Sequence, residues 1–328
     1  MILAILDRWQ RFKLRLRAIR ANFLSTNSRA YRRRASEEVE HYAECHASSD
    51  DGRYMEAAPP VWEELQHRVG GLIHAATGHD LAGYITGRLR ARPGARMLSL
   101  GSGPGGVEFV IARETPEASI RCLDLNPEVL AVGRNGAAAE NLRVEFAEAD
   151  LNLVELPEHE FDIVLCHASL HHILELEHLA DQIRRTLRPG GELVVTDIIT
   201  RNGYRMWPET RRWVDRIWKT LPEAYRVNHT SYPDRRVDHR IWERDTRSAG
   251  MECLRSQDIL KVLRDRFDTV HYVPHFALCR RFFDTMYGPN YDLGRPLDRA
   301  IVDWIWELDR HAIQSGILRP ETFFGVFR

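Results

Sequence analysis

The chain has 328 residues, 28% of them charged and 44% hydrophobic, with a formal net charge of −1; that is globular-protein composition at the length of one large elaborated domain or two small ones. Cys45, Cys122, Cys166, Cys253 and Cys279 lie far apart without a CxxC pair, which excludes a zinc ribbon or disulfide scaffold, predicts no metal site and suits a reducing compartment. No apolar run approaches the roughly 18 residues of a membrane span, and the positive charge follows the six apolar N-terminal residues instead of preceding them, unlike a secretory leader, so a cytoplasmic protein is expected.

Charge is unevenly spread. Residues 1–34 hold ten Lys/Arg against the single acid Asp7, and the remainder is acidic. Ile2, Ile5, Trp9, Phe12, Leu16, Ile19 and Phe23 recur every three or four residues, an apolar stripe on one helix face. Arg8, Arg11, Lys13, Arg15, Arg17 and Arg20 cover much of the rest. Residues 1–35 therefore read as a basic amphipathic helix. Two roles stay open: peripheral contact of residues 2–24 with the inner face of an anionic membrane, or packing on the chain's own domain or a partner.

A helical cap is expected over 36–95. Ser36–Ala47 opens with a capping-box pattern, and helices follow at Val61–Ala75 and Asp80–Ala91. Strands and helices then alternate through a core at 96–200. Strands are predicted at Arg96–Leu100, Ser119–Leu125, Leu142–Ala147, Phe161–His167 and Glu192–Ile198. Helices are predicted at Gly106–Arg113, Pro127–Asn135 and Leu176–Leu187, the last stopped by "RPGG". This alternation implies a doubly wound α/β fold. About 70 residues separate the fifth strand from the next, Thr269–Leu278, which is far more than a crossover needs. Residues 201–268 are thus expected to be an acceptor-binding insert, and 269–328 to complete the sheet. In that last segment Ile301, Trp304, Ile305 and Leu308 are the expected inward face of a helix.

The glycine loop raises the question of ligand. Gly101, Gly103 and Gly106 satisfy G-x-G-x-x-G, and Asp124 lies 23 residues after the first glycine. Both facts fit a dinucleotide site. Asp124, at the end of strand two, can accept from both ribose hydroxyls. A second acid beyond strand three, Asp150, and the Pro-Gly-Gly break before strand five are not required by a dinucleotide.

This ordered set resembles the class I S-adenosylmethionine-dependent methyltransferases, strongly from Ala91 to Ile199. The resemblance implies a Rossmann-like, mostly parallel seven-stranded sheet with S-adenosylmethionine as cofactor. It assigns Gly101, Gly103 and Gly105 to the loop and Asp124 to the ribose. Leu125 and Leu151 would flank the adenine, Asp150 would accept from its exocyclic amine, and His167 would lie beside the methionine portion. Ser99 departs from the family, which usually has an acid there. The family pattern also places the last strand, within "RPETFFGVFR", antiparallel between strands five and six.

Methyl transfer to a hydroxyl needs in-line alignment, exclusion of water and a base. His171 and His172 follow strand four, and Asp197 stands at the same sheet edge. The spacing resembles that in sugar and small-molecule O-methyltransferases, which implies His171 as base, Asp197 as its orienter and His172 as the fallback. The insert carries Trp207, Trp213, Trp218, Trp242, Tyr204, Tyr225 and Tyr232, with 16 bases against 11 acids. Aromatic faces and arginine forks suit a glycan or glycolipid acceptor, and the insert resembles methyltransferases of bacterial surface-polysaccharide synthesis. A lipid-like or secondary metabolite methylated at carbon or nitrogen is the alternative, and a catalytically idle membrane-docked scaffold is another. A nucleic-acid partner is not expected, because the body is acidic and the basic residues sit on one helix. The sequence leaves the oligomeric state open.

Overall fold

The computed structural model describes residues 13–14, 16–49, 58–230, 235–241, 243, 245–248 and 250–328. Most of the N-terminal stripe, Ile2 to Phe12, falls outside them, as do Tyr232 and Trp242. The stripe members that are described point to solvent. Phe23 is 83% and Ile19 55% exposed, while Ala18 and Ala21 are buried. Among the described residues, the stripe's Leu16, Ile19 and Phe23 are exposed.

Helix α1 (Arg29–Ser49) is followed by α2 (Pro60–Thr77) and α3 (Leu81–Arg90). The expected start of α1 at Ser36 is corrected, because that residue lies inside the helix, its Oγ beside Glu40 of the next turn. Asp80 caps α3 by accepting from the Gly83 N–H at 2.7 Å, which satisfies one of the first-turn donors a helix leaves unpaired. The core then runs β1 (Arg96–Leu100), α4 (Gly106–Glu114), β2 (Ser119–Asp124), α5 (Pro127–Ala139), β3 (Val144–Glu148), β4 (Phe161–His167), α6 (Leu176–Thr186) and β5 (Leu187–Ile198). The Pro-Gly-Gly break lies within β5. Pairing with β4 jumps from Phe161–Leu187 to Ile163–Glu192, so the glycines form a bulge in the strand.

After β5 come α7 (Pro208–Thr220), α8 (Ile259–Arg264), β6 (Thr269–His275), α9 (Cys279–Phe283), α10 (Pro296–Gln314) and β7 (Thr322–Phe327). The seven strands are ordered 3-2-1-4-5-7-6, with β7 antiparallel to both neighbours. The sheet is doubly wound and mostly parallel, and its last strand sits where the family pattern puts it. The central strands are buried on both faces; Leu98, Val164, Leu165, Val194 and Val195 are all at 0% exposure, as a helix-covered parallel sheet requires. Trp304 of α10 is 54% exposed, contrary to the expected inward face. The expected Ile305 is buried, Ile301 and Leu308 are partly buried against the core, and Val302, Trp306, Asp309 and Ala312 complete the inward face. Trp218 in the insert is buried, its Nε1 donating to the Asp238 carbonyl at 3.0 Å. It packs edge-on to Tyr287, beyond the insert, and so joins the insert to the main core. Among the described residues no helix is long and apolar enough to cross a membrane.

Candidate active site

The loop after β1 is tied back to β2: the Gly101 N–H donates to the Leu123 carbonyl at 2.7 Å. Gly101 and Gly103 adopt φ of 69° and 55°, a region costly to residues with a Cβ. At Gly101 a Cβ would also stand 2.5 Å from the Ser169 Cβ. The third expected loop glycine, Gly105, has a different task. It precedes α4 with φ 91°, a Cβ there would meet Phe146 at 2.8 Å, and it does not line the cavity. Its absence of a side chain serves packing of the loop on β3.

Beside this turn lies a cavity of about 240 Å³. Gly101, Gly103, Asp124, Leu125, Asp150 and Leu151 line it, so six of the eight residues expected at the cofactor share one space. The Asp124 carboxylate accepts from the Gly103 N–H and the Asn126 N–H, both at 2.9 Å and one on each oxygen. This locks the acid in place and leaves a lone pair on each oxygen. Asp150 Oδ1 accepts from the Asn152 N–H at 3.0 Å. Asn152 in turn accepts from the Leu174 and Glu175 N–H groups, which fixes the turn after β3 to the approach of α6. His167 is exposed at the end of β4 and outside the cavity lining; Ala168, with φ 55°, takes that place. The position next to the methionine portion expected for His167 is therefore corrected.

Ser99 is buried, and its Oγ donates to Glu108 Oε1 at 2.5 Å. The carboxyl missing from β1 thus arrives from the first turns of α4. Burial pushes Glu108 above the usual carboxylate range despite the Ser99 hydrogen bond. Neither residue lines the cavity.

The opposite wall comes from α1, a contribution the sequence reading missed. Tyr31, Glu38, Val39 and Tyr42 line the cavity. Their spacings of seven, eight and eleven residues put them on one helical face, a signal masked by the charge around them. The Tyr31 hydroxyl donates to Asp150, 2.8 and 2.7 Å from its two oxygens. Burial, reinforced by that carboxylate, pushes the phenol well above its ordinary pKa, so it stays a donor.

The two histidines separate. His171 is buried and outside the cavity lining. Its Nδ1 lies 2.6 Å from Asp197 Oδ1, and its Nε2 lies 3.6 Å from Glu252 Oε2. Burial alone would lower its pKa, but the Asp197 and Glu252 carboxylates outweigh it and raise it to about 10. Asp197 is further held by the Ser169 and Leu170 N–H groups at 3.0 and 2.7 Å. His172 is the one that lines the cavity. Its Nδ1 is 2.6 Å from Glu38 Oε1 and its Nε2 3.5 Å from Glu252 Oε2. Burial would raise the Glu38 pKa, but the adjacent His172 and the Met251 N–H hold it below the usual range. Glu38 and Glu252 were not anticipated, because both arrive from segments outside the glycine-loop core.

Residues 97–191 match the family model described as "Methyltransferase domain". This segment is therefore similar to the methyltransferase domains that the family model describes. Demethylmenaquinone methyltransferase of Thermus thermophilus is 32% identical over 31% of this chain and 46% of its own length. Malonyl-[acyl-carrier protein] O-methyltransferase of Enterobacter lignolyticus is 27% identical over 56% of this chain and 62% of its own length. An uncharacterized protein of Mycobacterium bovis is 24% identical over 79% of this chain and 86% of its own length. The chain spans about half the length of the first two curated relatives.

The class I methyltransferases that the sequence resembles use S-adenosylmethionine, and the cavity residues fit that cofactor. Two carboxylates with spare lone pairs stand at successive strand ends, Leu125 and Leu151 lie between solvent and core, and a turn free of side chains closes one side. Arg280, beyond the insert, donates through Nε to the hydroxyl of the insert's Tyr204 at 2.5 Å, and its guanidinium lies 5.2 Å from the centre of that ring. Trp207 carries the Arg319 guanidinium 3.8 Å from its ring centre. Aromatic faces of the insert are thus engaged by the chain's own arginines.

Proposed function

We propose that the protein transfers a methyl group from S-adenosylmethionine to a small-molecule acceptor. The observation that carries this reading is that Asp124 and Asp150, at the ends of β2 and β3, face one cavity with Gly101 and Gly103. Bound there, the cofactor supplies a methyl group on a positively charged sulfur, a good leaving group. Asp124 accepts from the ribose hydroxyls, and Asp150 accepts from the exocyclic amine with the lone pair that Tyr31 and Asn152 leave free. Leu125 and Leu151 enclose the base. Tyr31, Val39 and Tyr42 of α1 exclude water from that side, which strengthens every polar contact inside. His172 forms the wall at the β4 edge, where an open-sheet site admits its acceptor. His171 sits behind it, held by Asp197, and positions that segment.

The acceptor we favour is a lipid-like or secondary metabolite. The two curated relatives are named for a quinone precursor and an acyl-carrier-protein ester, and neither name contains a sugar; arginine pairing of Tyr204 and Trp207 also removes faces on which a glycan would stack. Melting the purified protein with S-adenosylmethionine or its demethylated product tests the cofactor site. At a hundred times Kd the stabilisation is about 2.7 kcal/mol, a rise of several degrees that Asp124→Ala should abolish. No rise with either ligand would leave an idle methyltransferase-like scaffold. Labelling a cell extract with methyl-labelled cofactor identifies the acceptor: a labelled small molecule is expected, and labelled polysaccharide would restore the glycan reading.

A further inference from the structure

We propose that His171, Glu252 and Cys253 form a binding site for one divalent transition-metal ion of the zinc type. The inference is independent of the methyl-transfer reading. The His171 ring nitrogen, a Glu252 carboxylate oxygen and the Cys253 sulfur lie within 4.8 Å of one another. His171 and Cys253 are buried, and Glu252 is partly so. Imidazole, carboxylate and thiolate are the three ligand types zinc takes, and three protein ligands with a fourth position open is the arrangement of a catalytic site.

The Cys253 Sγ donates to Glu252 Oε1 at 3.1 Å, a proton an ion would displace, while the imidazole distances are of ligand-pair length. His171 Nε2 and His172 Nε2 stand 3.6 and 3.5 Å from the same oxygen, Glu252 Oε2. Those separations are long for hydrogen bonds. They are close to the roughly 3.3 Å between two ligands of one tetrahedral ion with bonds of about 2.0 to 2.1 Å. Both imidazoles are also oriented from behind. Asp197 lies 2.6 Å from His171 Nδ1, and Glu38 lies 2.6 Å from His172 Nδ1. A carboxylate on Nδ1 is the usual partner of a metal-ligating histidine, fixing the ring with Nε2 forward. Cys253 adds a third observation. Its φ is 52°, a conformation that non-glycine residues rarely adopt and that concentrates at functional sites.

Titration of the full-length protein with Co²⁺ and Zn²⁺, in the absence of S-adenosylmethionine, tests this. One ion per chain is expected, with a sulfur-to-cobalt charge-transfer absorption. Cys253→Ser should remove that absorption, and Glu252→Gln should weaken binding at least tenfold. A second measurement, the circular dichroism and melting temperature of each variant without ligand, verifies that it remains folded. No stoichiometric binding by the wild type, or a cobalt spectrum unchanged by Cys253→Ser, would overturn the site. Because no cofactor is present in the titration, either failure leaves the methyl-transfer reading standing.

Discussion

Gly101 meets two demands at once: a φ of 69° and a Ser169 Cβ only 2.5 Å from where its own Cβ would stand. Backbone strain alone costs about 1 to 2 kcal/mol for a residue with a Cβ, and the collision adds to it because Ser169 is buried and held through its N–H by Asp197. Gly101→Ala is therefore expected to destabilise the protein by more than about 2 kcal/mol and to weaken cofactor binding at least tenfold. Adding Ser169→Gly removes the collision and should recover part of the stability, leaving the φ cost, as urea unfolding would measure. An equally stable Gly101→Ala variant would contradict the close approach. At this scale the glycine-loop wall of the cavity was legible because its parts are local: Gly101, Gly103, Asp124 and Asp150 each stand at or within three residues of the end of a strand the hydrophobic pattern already marks. Gly105 was read as part of the same loop, since nothing in sequence separates a glycine that faces a cavity from one that faces Phe146.

Element α1 shows why the opposite wall was hidden. Tyr31 and Glu38 reach the cavity from a helix whose charge pattern looked solvent-facing, and only tertiary contact joins Tyr31 to Asp150, 119 residues away. Even the start of the helix was misplaced, because Ser36 has capping-box neighbours while the helix propagates through it. Helix α10 departs from its expected inward face only at Trp304. Its sequence offers tryptophans at 304 and 306, and the nearly buried Asp309 decides between them by drawing its face onto the Ala277, Leu278 and Cys279 N–H groups. For α1, the Tyr31 hydrogen bond to a carboxylate is of the kind that contributes about 1.5 to 3 kcal/mol. Tyr31→Phe should loosen the docking of this helix without unfolding the sheet. Amide exchange over residues 31–43 is expected to quicken roughly 10- to 100-fold, with protection in β1 and β4 unchanged. Unchanged exchange in α1 would show that other contacts hold it.

Across the whole molecule, strand order was the most legible property. Handedness and alternation leave few ways to arrange five parallel strands with intervening helices, and the resemblance supplied the antiparallel insertion of β7. Closing the sheet this way buries the end of β6, and with it His275, at 4% exposure. Its Nδ1 donates to the Val273 carbonyl at 3.1 Å. Burial, aided by the nearby Arg280 charge, lowers its pKa to about 4, although the Val273 hydrogen bond acts in the opposite direction. In the unfolded chain the same ring titrates near the ordinary 6.5. Between those values the unfolded state binds a proton that the folded state refuses, so stability rises with pH across the window and is lost as pH falls through it. The difference approaches about 3 kcal/mol by pH 4. Many carboxylates titrate over the same range, so the informative quantity is the difference from His275→Gln, whose amide does not titrate. The advantage of wild type over this variant, from urea unfolding at pH 7 and pH 4, should shrink by about that amount. A difference constant between the two pH values would mean that His275 takes up its proton without cost inside the closed sheet.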